Sequence, residues 1–177
     1  MVSQIRRVVT GHDAQGRSTI IFDGPAGQVK EMASMPGLAL TDLWETSGAP
    51  ADNDGTADAA DRPVRLEPAN GGAIFRTVEF PPDSNWQGQA DAALAFNSIG
   101  AGAAHDSASS DPMRHKTNTI DLIFVLKGEI EAIVDTGRVL LRQGDAFIQR
   151  GTMHSWSVPG DEPCILGVVL IDAKPAG

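Results

Sequence analysis

Apolar and polar positions alternate along most of this chain in short runs, the two-residue period of a half-buried strand rather than the longer period of a helix. Residues 5–10 and 18–22 are β-branched and apolar, and the GHDAQG between them brings Gly and Asp turn chemistry, so they predict a hairpin. Residues 38–46 (LALTDLWET) predict a third strand. Residues 74–80 (IFRTVEF) predict a fourth, which stops at Pro81-Pro82 because proline cannot continue a ladder. From residue 117 onward the strand signals crowd together, at 117–126, 129–135, 139–142, 145–149, 154–158 and 164–171, with a Gly in every break between them. Short strands at such regular spacing predict an antiparallel sandwich or barrel.

Two segments depart from this pattern. Between residues 83 and 100, Trp86, Ala90, Ala93, Leu94 and Ile99 recur at mixed spacings of three and four, which predicts a short helix able to cover a pocket. Residues 47–72 are rich in Asp, Ala, Gly and Pro and carry few groups to bury, so an exposed excursion open to disorder is expected there rather than a second domain. Its Asp52, Asp54 and Asp58 lack the placed Gly and the closing Glu of a calcium loop. The expected fold is all-β: a small antiparallel barrel or jelly roll with an N-terminal strand extension and a short helical or loop insertion. It forms one structural domain, with residues 1–109 packed on a barrel core of residues 110–177.

Composition narrows the function. With 14 Lys and Arg against 23 Asp and Glu the net charge is −9, which repels phosphate backbones and anionic lipid heads, so neither nucleic acid nor membrane is an expected partner. The single Cys164 cannot form an intrachain disulfide and reads as a small buried hydrophobe, and the first residues carry no apolar signal region, so a cytoplasmic setting is expected. There is no Tyr, so acid–base chemistry falls to His, Asp, Glu, Lys or water. No nucleophile elbow, phosphate loop or dinucleotide fingerprint is present.

The informative strand is the one at 117–126. Side chains alternate faces, so His115, Thr117, Thr119, Asp121, Ile123 and Val125 point one way, polar at one end and apolar at the other. The opposite face, Ile120, Leu122, Phe124 and Leu126, is apolar throughout and needs cover, from the N-terminal strands or from a second copy, so a homodimer is expected. A second polar cluster runs from Gln149 to His154, with Trp156 on the face of His154. Two histidines and a carboxylate converging inside a barrel match the triad that leaves open positions on a divalent metal, and His115, Asp121 and His154 are its candidates.

These residues resemble the cupin superfamily. Its first motif reads here as His115, Lys116, Thr117, three residues, Asp121, six residues, Gly128; its second as Gly144-Asp145, Ala146-Phe147-Ile148, Gln149-Arg150-Gly151, Thr152-Met153, His154. The correspondence covers about residues 110 to 172, and the N-terminal RRVVTGHDAQGRSTIIFDGP and LWET are similar to those of small bacterial and fungal cupins. Thr117 stands in place of the usual second His and Asp121 in place of the usual Glu, so a metal would sit closer to that strand, use a water, or be absent. Val158 replaces an Asn that often follows the second motif.

The resemblance implies a metal-dependent enzyme acting on a small aromatic or carboxylated metabolite, of oxygenase, isomerase or lyase class. His115, Asp121 and His154 would hold Fe(II), Mn(II), Ni(II) or Zn(II), and Thr117 would position a metal-bound water. Arg150 beside Gly151 is the candidate clamp for a carboxylate, and Thr119, Ile123 and Trp156 are the candidate pocket lining. The rival reading is a non-catalytic small-ligand module that keeps the pocket and has lost the metal. A purely structural barrel gives no reason for two histidines and an aspartate to share an interior. His12 and His105 read as solvated loop residues.

Overall fold

A computed structural model describes residues 2–88 and 90–175 of the chain. In chain order it places β1 (Arg6–His12), β2 (Ser18–Pro25), β3 (Gln28–Glu31), β4 (Ala39–Thr46), β5 (Ala73–Phe80) and α1 (Ala92–Asn97). Then come β6 (Thr119–Lys127), β7 (Glu129–Val134), β8 (Gly137–Arg142), β9 (Ala146–Arg150), β10 (His154–Ser157) and β11 (Cys164–Asp172). All paired strands are antiparallel. The larger sheet runs β3-β4-β5-β11-β6-β9, the smaller β10-β7-β8, and β1-β2 forms the expected hairpin. The fold is the all-β jelly roll, and the apolar inner faces of its two larger sheets make the core.

The core follows from strand alternation. Along β6 Thr119, Asp121, Ile123 and Val125 are buried while Ile120, Leu122, Phe124 and Leu126 are exposed, so the face read as inward does turn inward. Ile74 and Ile130, from the two sheets, have no exposed surface. α1 is shorter than the expected segment. The Asp91 carboxylate caps it by accepting from the Leu94 N–H, and it buries Ala92, Ala95 and Phe96.

Two parts of the fold differ from the sequence expectation. Strand β3 carries no clear alternation and exists because residues 28–31 pair with residues 39–42 of β4. The excursion at 47–72 is pinned down rather than loose, although residues 51–58 are exposed. Ala60 is fully buried, Asp58 accepts from Arg7, and Arg62 reaches both Asp42 and Glu45. Composition hid this, because ion pairs to β1 and β4 tie the segment where apolar burial does not.

Candidate functional site

A cavity of about 90 Å³ lies between the sheets. Its walls are mostly apolar, among them Met32, Met35, Met113, Phe96, Ile123 and Trp156. Five polar side chains also border it: Arg76, His115, Thr117, Asp121 and His154. Three methionines in the wall give it adaptable sides, since an unbranched thioether repacks at little cost.

The two histidines are placed by the backbone. Ahead of β6, His115 forms a reciprocal pair with His154 at the start of β10, its N–H donating to the His154 carbonyl at 2.9 Å and the His154 N–H returning to the His115 carbonyl at 3.0 Å. Residues directly opposite in an antiparallel pair project to the same side, and the two imidazoles stand with centroids 4.2 Å apart. Each ring donates from Nδ1 to a carbonyl two residues away, His115 to Met113 at 2.7 Å and His154 to Thr152 at 2.9 Å. A carbonyl only accepts, so Nδ1 carries the hydrogen and the neutral ring keeps a bare lone pair on Nε2. Burial, with His154 beside it, pushes His115 down to about 3, and burial lowers His154 as well. Both rings are therefore neutral bases near pH 7.

Asp121 is the acid of the cavity. It faces inward from β6, is 6% exposed, and its Oδ1 has no hydrogen-bond partner. Burial pushes the carboxyl up to about 6, against the opposing pull of the Thr119 hydroxyl and the positive charge of Arg76. Thr117 borders the cavity, and its hydroxyl is engaged with that of Thr119 at 2.7 Å. Thr119 is buried beside it, just outside the lining, while Ile123 and Trp156 line the cavity, Trp156 edge-on to His154 with centroids 5.7 Å apart.

Arg150 is not a clamp for anything in this cavity, because the alternation of β9 turns it to the exposed outer face. The guanidinium at the cavity is Arg76, which sequence reading passed over although IFRTVEF puts it on the same face as Ile74 and Val78. His105 also differs from expectation. It pairs in a bridge with His115, stacks on Phe96 with centroids 4.8 Å apart, and has a buried Nε2 without a partner. His12, in β1, is away from the cavity. Cys164 is fully buried, and burial pushes its thiol up to about 12, which makes it inert.

His115, Asp121 and His154 thus border one cavity. Among the described residues, however, no three His, Cys, Asp or Glu side chains gather closely enough to hold one metal ion. The histidine pair has the fixed tautomers that suit ligation through Nε2. Asp121 stands apart from that pair and the Thr117 hydroxyl is committed to Thr119, so these donors do not make a three-ligand centre as arranged.

Among known families, residues 104–171 match the one described as Cupin domain. Residues 104–171 belong to the cupin superfamily. This cupin is similar to the oryzines biosynthesis cluster protein J of Aspergillus oryzae, at 39% identity over 67 residues that span 37% of each chain. It is 26% identical over 175 residues to the cupin-domain-containing oxidoreductase virC of Hypocrea virens, covering 96% of this chain and 76% of that one. Among solved structures it is similar to the Cnp3 cupin domain of Schizosaccharomyces pombe, at 12% identity and a TM-score of 0.47, over 94% of this chain and 87% of that one. No helix among the described residues is long and apolar enough to cross a membrane.

Proposed function

We propose that this cupin is an enzyme that moves protons on a compact, apolar carbonyl metabolite, an isomerase or lyase in class. One observation carries the reading: two buried imidazoles face each other with Nδ1 tied to the backbone and Nε2 bare, on the same cavity as a carboxyl with an unpartnered oxygen. A base and an acid held apart in a mostly apolar cavity are what proton transfer at a carbon beside a carbonyl requires. We assign the base to His154, which stands edge-on to Trp156 in the cavity wall and does not carry the repulsion from two neighbouring imidazoles that helps lower His115. The proton leaves carbon for His154 Nε2 while Asp121 gives its proton to the carbonyl oxygen, forming the enol. In an unsaturated or hydroxylated ketone, His154 returns its proton at a different carbon while Asp121 takes back the hydroxyl proton, which isomerises the substrate; where His154 gives that proton to a neighbouring hydroxyl instead, the hydroxyl leaves as water, a lyase reaction. His115 stays neutral and holds the base in place.

Exchange of solvent deuterium into a panel of apolar cyclic ketones, followed by proton NMR, tests this reading. The wild type exchanges the hydrogens beside the carbonyl, and His154→Gln and Asp121→Asn each slow exchange by on the order of a hundredfold with the circular dichroism unchanged. Full exchange in both variants, or none in the wild type, ends the proposal.

A second reading is favoured by the name of the Hypocrea virens relative, an oxidoreductase, and by the two neighbouring imidazoles. In it His115 and His154 hold Fe(II), Mn(II), Ni(II) or Zn(II), which supplies Lewis-acid or redox chemistry. Elemental analysis of untagged protein separates the two. About one metal per chain, lost in both His115→Ala and His154→Ala, supports the second reading. Protein that is free of metal, binds apolar ligands and exchanges nothing is the binding module instead.

The proposal extends to assembly as a homodimer in a reducing cytoplasm. The outer face of the larger sheet carries an apolar row across four strands, Ile148, Leu122, Val169 and Phe75, beside Phe124 at 56% exposure and Leu126 at 49%. A contiguous apolar sheet face of this kind supports a partner with the same face.

A further inference from the structure

Arg76 gives the cavity a cation that the proton-transfer chemistry does not use. It lies in the middle of β5 opposite Val168 of β11, which in turn lies opposite Ile123 of β6, and only 1% of it is exposed. An arginine this deeply buried needs partners, and here they satisfy only part of it. Its Nε faces Asp42 Oδ1 at 2.9 Å, Nη1 donates to the Leu66 carbonyl at 3.3 Å, and Nη2 donates to the Arg65 carbonyl. A guanidinium has five N–H groups. One hydrogen on each terminal nitrogen therefore has no protein acceptor among the described residues.

Charge around Arg76 is also incomplete. Asp42 is shared with Arg62 through its other oxygen at 2.8 Å, and Glu45 is shared by Arg62 and Arg65. Arg62, Arg65 and Arg76 are thus set against Asp42 and Glu45, and Asp42 is not Arg76's alone. Among the described residues the carboxyl that borders the cavity is Asp121, which attracts Arg76 from two strands away across β11.

We propose that Arg76 anchors the substrate through a carboxylate, its two spare hydrogens on separate nitrogens forming the fork that a carboxylate accepts, so that the ligand is a compact apolar acid. The proposal rests on the cavity being the substrate site and names the chemical class it takes. The apolar body lies against Phe96, Trp156 and the three methionines, and Arg76 fixes which end of the molecule meets the histidines. At about 90 Å³ the cavity is smaller than the ~150 Å³ that admits benzene, so a ligand of benzoate size enters only as the methionine side chains swing aside.

Calorimetric titration of the wild type with benzoate and cyclohexanecarboxylate, against benzamide and cyclohexanecarboxamide, tests the anchor without any substitution. The acids bind roughly tenfold or more tighter than the amides of equal shape, the preference expected of one charge-assisted pair. Arg76→Lys, which keeps the charge and loses the fork, gives up most of that preference. Equal affinity for acids and amides, tighter amides, or no saturable binding of either series overturns the anchor. His154→Gln keeps the acid preference within about twofold while deuterium exchange is lost, so failure of the anchor and failure of the proton-transfer reading give different results.

Discussion

His115 and His154 are uncharged because burial strips water from both, and His115 also has His154 beside it. An ordinary histidine titrates near 6.5, and His115 is pushed down to about 3. Between those values the unfolded chain binds a proton that the folded chain refuses, so stability rises with pH across the window and is lost as pH falls through it. Asp121 has the opposite sign. Its folded value of about 6 lies above the ordinary 3.8, so the folded chain holds the extra proton between them and acid stabilises it. The histidine window is the wider of the two, and His154 adds to it. Urea titrations should therefore show stability falling from pH 6.5 toward pH 4, and His115→Gln should flatten that slope by on the order of a few kcal/mol. A slope in His115→Gln equal to the wild type's would mean the ring is not held neutral by burial.

At the scale of elements, two strands do most of the positioning. β6 brings Asp121 and Ile123 to the cavity by alternation alone, and β5 brings Arg76 in the same way. The turn between β6 and β7 is a single residue, Gly128, at φ +76°, and a Cβ there would stand 2.8 Å from the Pro163 carbonyl oxygen. Gly144, in the turn before β9, has φ +94° and open space where a Cβ would go. Alanine at either position takes on the left-handed backbone cost, and at 128 it meets backbone as well. Gly128→Ala is expected to destabilise by about 2–3 kcal/mol and Gly144→Ala by about 1 kcal/mol in chemical denaturation, and the reverse order would discount the clash.

For the whole molecule, the unbalanced feature is the apolar outer face of the larger sheet. A lysine at Phe124, which is 56% exposed, disturbs no core contact of the single chain, yet it places a charge in the middle of the proposed sheet-to-sheet interface. Light scattering during gel filtration should give a dimer for the wild type and a monomer for Phe124→Lys, with the melting transition of the monomer still cooperative. A wild type that runs as a monomer removes the homodimer.

What the sequence determined is the part of the molecule governed by local period. The ten strands it specified, the inward face of β6 and the jelly-roll class were legible because the side-chain period of a strand is two and each break carries a turn residue. The motif spacing likewise put His115, Asp121 and His154 on one interior, and all three do border one cavity. Tertiary structure decided the rest. The pairing that makes β3 a strand, the ion pairs that hold the 47–72 excursion and the stacking of His105 on Phe96 all join residues far apart in the chain. It also decided which arginine meets the cavity. Arg150 and Arg76 are both arginines in short strands, and whether an odd or even position faces inward depends on which side of the sheet the other sheet packs. Local sequence fixes the alternation, and only packing fixes its sign.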